Sequence, residues 1–536
     1  MSNAKSITSQ LWEMANKLRG TMDASEYKNY ILPFMFYKYL CERQNDYLKE
    51  NSLTEFNDFK SDHPEIKDYV KDISDGLGYA INPQHTWSTL IEKISNHKIV
   101  ASDIQSLFED FKTNAQLNQS TGEDFSDVFA DVNIGDSRLG GSTNERAQAL
   151  YDIILMIDSI TYKDENGQDV LGDVYEYLIG QFAASAGKKG GEFYTPHEVS
   201  KVLAKLVTHD IQVNGDQFTV YDPTMGSGSL LLTVRKELPY KDEVGAVDFY
   251  GQELNTTTYN LARMNLMMHG VDYKNMNLRR GDTLDLDWPF QTKDGIERPR
   301  QFDAVVANPP YSQTWDQANA KDPRFYAGLA PKSKADYAFV QHGLYHLGSK
   351  GTMSIVLPHG VLFRGAAEGK IREQLIKDNM LDAVIGLPVN LFYGTSIPTC
   401  ILVFKGKDIR HTKDILFIDA SREFDKVKNQ NKLSDENIDK IIDNYKRRET
   451  VDKYSYLATL EEIEENDFNL NIPRYVDTFE EEEVVPLGEI LKDMKEIQLE
   501  IKETNTSLLE MMQKLTTEDK EVESQLKDFI DWMKES

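Results

Sequence analysis

The spacing of hydrophobic positions changes twice along the chain. At the start, Leu11, Met14, Ala15 and Leu18 recur at helical spacing. Tyr27, Ile31, Phe34 and Leu40 form a second apolar stripe, behind a candidate cap at Asp23 or Ser25. Such a stripe reads as core packing. Residues 135–143 are polar and rich in Gly and Ser, which predicts a loop, and 145–159 return to helix. Residues 1–165 are therefore expected to form an all-α domain. From 166 to 475 short apolar runs rich in β-branched residues alternate with helical stretches such as 336–347 and 369–378. That alternation predicts an α/β fold with a mostly parallel, doubly wound sheet. Strands are expected at 218–222, 247–253, 302–307, 352–357, 382–387 and 399–404. In the last region, 476–536, Ile490, Met494, Ile497, Ile501, Thr504, Leu508, Met511 and Leu515 alternate spacings of four and three. This heptad seam predicts a long helix in a coiled coil, with packing on its own domain as the alternative. The acid run 480–483 before it reads as a solvated linker.

The strand ends carry the chemistry. The run at 302–307 is stopped by Asn308-Pro309-Pro310-Tyr311, whose prolines also remove two backbone donors. Open α/β sheets bind ligands at the carboxyl ends of their strands. An Asn side chain and a proline carbonyl both accept hydrogen bonds from one amino group, and Tyr311 can stack on the ring that bears it. The stretch is thus a holder for a planar amine such as N6 of adenine; alone, it is also a strand-ending turn. Upstream, Asp222-Pro223-Thr224-Met225-Gly226-Ser227-Gly228-Ser229 is a Gly-rich turn between a strand and an apolar helix start. Its glycines let the backbone approach a ligand, and Asp222 can meet a cationic group. It is not the dinucleotide fingerprint, because position 231 is Leu, and no phosphate-binding P-loop sequence occurs. Glu253 ends the next strand, where a carboxylate grips ribose hydroxyls in nucleoside sites. Asp282 can accept from an adenine amino group. A solvated Glu253 and a turn-forming Asp282 are the plain alternatives.

With these motifs the chain resembles the S-adenosylmethionine-dependent amino-methyltransferases that act on DNA adenine. Glu192-Phe193-Tyr194-Thr195-Pro196-His197 resembles the extra cofactor motif of those enzymes, which caps the methionine part of the cofactor. Residues 11–20 and 30–40 narrow the resemblance to the modification subunits of type I restriction–modification systems. The resemblance implies an α/β methyltransferase fold and S-adenosyl-L-methionine as cofactor, with no metal. It implies Asn308, Pro309, Pro310 and Tyr311 as catalytic. Residues 192–197, Asp222, Pro223, Thr224, Gly226, Ser227, Gly228, Ser229, Glu253 and Asp282 would bind the cofactor. Implied partners are a DNA specificity subunit, a second modification subunit, the restriction motor-nuclease subunit and duplex DNA. Among such subunits the heptad helix joins the spacer of the specificity subunit. Other users of the Asn-Pro-Pro-Tyr motif are protein glutamine and RNA base methyltransferases. A non-catalytic assembly subunit is a further alternative.

Composition adds one constraint. The net charge is −28 over 536 residues, whereas a stand-alone DNA binder carries a basic footprint. A partner is therefore expected to hold most of the DNA. The two cysteines, Cys41 and Cys400, are too few for a disulfide framework or a cysteine zinc site, which points to a reducing cytoplasm. No apolar run approaches membrane-spanning length. Residues 312–334, polar and containing Trp315, Arg324 and Phe325, read either as a lid or as a disordered loop. Phe392 and Tyr393 are a candidate second wall for the base.

Overall fold

Apolar residues at helical spacing draw six helices together among the described residues: α1 (Ala24–Glu50), α2 (Ile66–Leu77), α3 (Trp87–Ser95), α4 (Ala101–Ala115), α5 (Thr143–Asp158) and α6 (Leu171–Ser185). The computed structural model describes residues 8–9, 11–13, 15–16, 22–96, 101–117, 125, 127–160, 162, 170–185, 194–209, 211, 217–238, 247–285, 289–317, 322–393, 395–427, 430–478 and 487–535. The aromatic stripe of α1 is core, as its pattern predicts. Phe34, Phe36 and Tyr37 are fully buried among Phe108, Phe111 and Phe129. Asp23 stands at the cap position of α1 but makes no side-chain capping bond. Ser142 and Glu145 cap α5 reciprocally, which fixes where that helix starts. Helix α6, beyond residue 165, adds Val174, Tyr175, Leu178 and Phe182 to the same helical core.

The α/β part follows in chain order: α7 (His197–Thr208), β1 (Phe218–Asp222), α8 (Ser229–Glu237), β2 (Val247–Glu253), α9 (Thr256–Met268) and β3 (Met276–Arg280). A hairpin of β4 (Phe290–Lys293) and β5 (Ile296–Pro299) precedes β6 (Phe302–Ala307). Then come α10 (Asp336–Tyr345), β7 (Leu347–Pro358), α11 (Ala366–Lys377), β8 (Leu381–Gly386), β9 (Thr399–Lys405) and β10 (Ile415–Asp419). A small ribbon, β11 (Asp425–Val427) with β12 (Gln430–Lys432), leads to α12 (Asp435–Arg447), β13 (Ser455–Ala458) and α13 (Leu460–Glu465). Nine strands form one sheet in the order β13-β10-β8-β9-β7-β6-β1-β2-β3. Its pairs are parallel except that β9 runs against both β7 and β8, and β13 against β10. Helix α9 joins the two layers. Its Leu261, Met264 and Met267 enter the helical core while Ala262 and Leu266 face the sheet core. Tyr39 of α1 donates to the Met267 carbonyl at 2.7 Å.

One feature of this order positions the site. From β1 the chain moves outward through β2 to β3, then returns to lay β6 on the other side of β1. The carboxyl ends of β1 and β6 therefore flank the crevice where a doubly wound sheet changes direction.

Residues Met1–Asp477 form one compact unit and Thr478–Ser536 a second. The second consists of α14 (Leu487–Met512) and α15 (Lys520–Glu535), which pack on each other. The heptad seam lies on α14, yet no residue of that helix is buried. Met494, Ile497 and Ile501 are each more than half exposed. The helix ends at Met512, so Leu515 falls beyond it rather than on the seam. Asp519 opens the next helix, its carboxylate accepting from the Glu521 N–H at 2.9 Å. The acid run 480–483 lies outside the described residues.

Candidate active site

The Gly-rich turn is built by two backbone conformations that only glycine adopts without strain. Gly226 has φ +53° and Gly228 φ +74°. A Cβ on Gly228 would also stand 2.4 Å from a methyl carbon of Leu266. Side chains then lock the turn. Asn265 donates to the Ser227 carbonyl at 3.0 Å and to the Ser229 hydroxyl at 3.3 Å, and the two serine hydroxyls bond at 3.0 Å. Ser227 and Ser229 are thus turned into the fold.

Three carboxylates surround this turn. Asp222 is buried and accepts from the Thr224 N–H at 2.9 Å. Burial, with the neighbouring Glu253 charge behind it, pushes its pKa up to about 7. Glu253 accepts from Gly226 N–H at 3.2 Å and Asn255 N–H at 2.8 Å, one on each oxygen. Each oxygen keeps a second acceptor site. Burial raises the Glu253 pKa as well. Asp282 is exposed, and its side chain closes a local turn by accepting from Leu284 N–H at 2.9 Å.

A cleft of about 540 Å³ gathers these strand ends. Pro223, Thr224, Glu253 and Asp282 line it together with Asn308 and Pro310. Gln252 lines it too; it is buried and its side-chain oxygen has no partner among the described residues. No motif marks Gln252, because a polar residue inside a strand carries no signal of where it points. At β6, Asn308 donates through Nδ2 to the Thr195 hydroxyl at 3.0 Å. The Tyr311 hydroxyl donates to Asn308 Oδ1 at 2.8 Å. The Thr195 segment and the Asn-Pro-Pro-Tyr turn therefore meet. Pro309 is buried at the strand end. Tyr194 is buried and Pro196 opens α7, while the His197 side chain is exposed. Glu192 and Phe193 lie outside the described residues.

The family model for N-6 DNA methylases matches residues 166–484, and that for the HsdM N-terminal domain matches 7–157. The type I restriction enzyme MpnII methylase subunit of Mycoplasma pneumoniae is 36% identical over 525 residues, covering 95% of this chain and 96% of its own. The chain belongs to the methylase subunits of type I restriction enzymes. A second such subunit, MjaVIII of Methanocaldococcus jannaschii, is 38% identical over 345 residues, or 62% of this chain and 57% of its own. The crystal structure of the type I methyltransferase subunit from Streptococcus thermophilus superposes with a TM-score of 0.79 at 43% identity. It covers 89% of this chain and all of that one. The reaction of this methylase subunit is adenine-specific DNA methylation.

Around the cleft the methylase subunit is well braced. The described part of 312–334 is packed rather than loose. Trp315 donates to the Pro331 carbonyl at 3.0 Å and packs on Phe325 with ring centres 5.1 Å apart. Arg324 is fully buried, bonded to Asp322 at 2.6 Å and to the Thr283 carbonyl at 2.8 Å. Phe392 is core and meets Tyr311 edge-on at 6.0 Å, and Tyr393 packs on Tyr194. Far from the cleft, Asp173, Glu176 and His269 cluster closely enough to hold a metal ion. There the Lys236 ammonium already sits 3.5 and 3.4 Å from the two carboxylates and offsets one of their two charges. Among the described residues no helix is long and apolar enough to cross a membrane.

Proposed function

We propose that this subunit transfers the methyl group of S-adenosyl-L-methionine to N6 of an adenine drawn out of duplex DNA, under the direction of a separate specificity subunit. The observation that carries the reading is the shared cleft: Asn308 and Pro310 line the same space as Glu253 and Asp282. The cofactor fits this donor set. The cleft volume falls within the roughly 300–1,000 Å³ of small-molecule sites. Its carboxylates and the free Gln252 oxygen are acceptors, suited to a ligand with hydroxyl, amino and cationic groups. Glu253 and Gln252 would hold hydroxyls and Asp282 an amino group; Asp222, expected to meet a cationic group, is buried and does not line the cleft. Pro223, Thr224, Gly226 and Gly228 keep the backbone close, with Ser227 and Ser229 as internal braces. Residues 192–197 would cap the methionine end. When bound, the cofactor supplies an electrophilic methyl group on sulfur.

This chain's own part is to prepare the amine. An aromatic amino group is a poor nucleophile because its lone pair is delocalised into the ring. Two acceptors, Asn308 Oδ1 and the Pro309 carbonyl, favour tetrahedral nitrogen and free that pair. Tyr311 stacks on the extruded base, and rigid placement supplies the remaining advantage. The site residues and the division of the chain into 1–165, 166–475 and 476–536 belong to this proposal, as do the partners and a cytoplasmic location. The test is radiolabelled methyl transfer to duplex DNA, assayed with and without the specificity partner.

Three consequences can be checked separately. Gly226→Asp is expected to abolish cofactor binding, because it strains a φ of +53° and sets a carboxylate beside Glu253. Unchanged affinity in a cofactor titration would move the site elsewhere. Alone, the subunit is expected to bind duplex DNA weakly and without sequence preference, given its charge of −28. A nanomolar, sequence-selective complex in a filter-binding assay of the lone chain contradicts the division of labour. Asp222 gives a pH signature. Its carboxyl is held at about 7 in the fold, so the fold keeps a proton that the unfolded chain has lost. The contribution of Asp222 to stability is therefore fully present below the usual carboxylate range and is lost as pH rises to about 7. Asp222→Asn keeps the Thr224 bond and removes that decline. Its melting temperature should exceed the parent's near pH 8 and converge with it near pH 4; parallel curves would refute the assignment.

A further inference from the structure

We infer that Thr195 is the positioning residue for Asn308, holding the Asn308 amide in the place and plane in which its oxygen meets the target amine. The inference rests on the reading of Asn308 as an acceptor for that amine. An Asn amide has a donor end and an acceptor end of nearly equal size. Its terminal torsion is broad and roughly two-fold, so the torsion itself does not choose between them. Turned the wrong way, the amide would present N–H groups to another amino group, and no bond would form.

Two hydroxyls hold the amide in place, one at each end. Thr195 Oγ1 accepts from Asn308 Nδ2 at 3.0 Å, and the Tyr311 hydroxyl donates to Oδ1 at 2.8 Å. Their roles differ once a base arrives. Tyr311 is the residue that must adjust to stack on it. Thr195 lies at the donor end of the amide, 113 residues away in sequence, on a firm support. Before it, Tyr194 is buried, with its ring 6.1 Å from that of Tyr393. The Tyr194 hydroxyl would lie 3.1 Å from a Cβ at Gly180, so the residue is closely packed against α6. After it, Pro196 has a ring-fixed φ of −51° and opens α7. The hydroxyl is thus held between a packed ring and a helix start. It ties the segment assigned to the cofactor to the residue assigned to the base.

The experiment compares Thr195→Val and Thr195→Ser in the assembled methyltransferase, with Asn308→Ala alongside. Val keeps the shape and loses the hydroxyl; Ser keeps the hydroxyl. For Thr195→Val, kcat is expected to fall up to about 10²-fold, the effect of an ångström-scale misplacement. The KM for DNA should stay within about two-fold, any loss of S-adenosylmethionine affinity should be smaller than the loss of kcat, and Ser should restore kcat. The inference is overturned if Val keeps its kcat, if its loss lies wholly in cofactor affinity, or if Ser is as impaired as Val. Asn308→Ala separates the two levels. If it retains full transfer, the reading of the cleft fails and takes this inference with it. If it loses transfer while Thr195→Val does not, the inference alone is wrong.

Discussion

Asn308→Ala is expected to lower the rate of methyl transfer on the order of 10²- to 10³-fold, the scale seen when one preorganised polar contact to a reacting group is removed. Binding of S-adenosylmethionine should survive. The side chain is half-buried at the end of β6 and bonds only to Thr195 and Tyr311 among the contacts described above. Its loss therefore leaves the Gly-rich turn, Glu253 and Asp282 in place. The Pro309 carbonyl remains as one acceptor, but one acceptor cannot hold both hydrogens of the amine. Single-turnover kinetics with a parallel cofactor titration give the two readouts. Full activity in the variant would end the catalytic assignment, and a matching loss of cofactor affinity would place Asn308 in the cofactor site instead.

Removal of the chain after Pro486 is expected to leave cofactor binding nearly intact and to weaken association with the specificity subunit sharply. DNA methylation would fall as a consequence. The physical ground is the bare seam of α14. Met494, Ile497 and Ile501 are more than half exposed, and α14 has no buried residue despite its pairing with α15. Apolar heptad positions gain by burial against a partner helix, while Lys492, Lys495, Glu496 and Glu500 beside them are placed to set its register. Ile497→Glu with Leu508→Glu should reproduce the truncation, because burying unpaired carboxylates costs several kcal/mol. Co-purification of the two subunits reads the result. A complex that forms normally without the tail would show that the seam serves no partner.

How much of this was legible in the sequence depended on which residues carried a local signal. Runs such as 302–307 and 399–404 are dense in β-branched and apolar residues, and they became β6 and β9. The reversed direction of β9 left no trace in its side chains, because alternation is the same for either orientation. Strand β3 escaped notice altogether. Met276-Asn277-Leu278-Arg279-Arg280 is polar because it is an edge strand, half-exposed, and only its pairing with β2 identifies it. The carboxylates at 222 and 253 stood out because each ends a strand, and the parallel sheet set the ends of those strands beside one another. Gln252 did not stand out, although it faces the cleft. Ser227 and Ser229 read as ligand contacts, yet Asn265 turns them inward, and nothing near them in sequence announced a partner on α9. The Thr195–Asn308 bond was invisible for the same reason: it is made by folding, across 113 residues.

The most direct test of the central claim is nucleoside analysis of DNA after reaction. The subunit, with and without its specificity partner, is incubated with S-adenosylmethionine and duplex DNA, and the digested DNA is examined by mass spectrometry. The account predicts N6-methyladenine at one sequence, formed only when both subunits are present, and strongly diminished when Asn308 is Ala. Methylation of another base, or undiminished N6-methyladenine from the Asn308→Ala subunit, would contradict it.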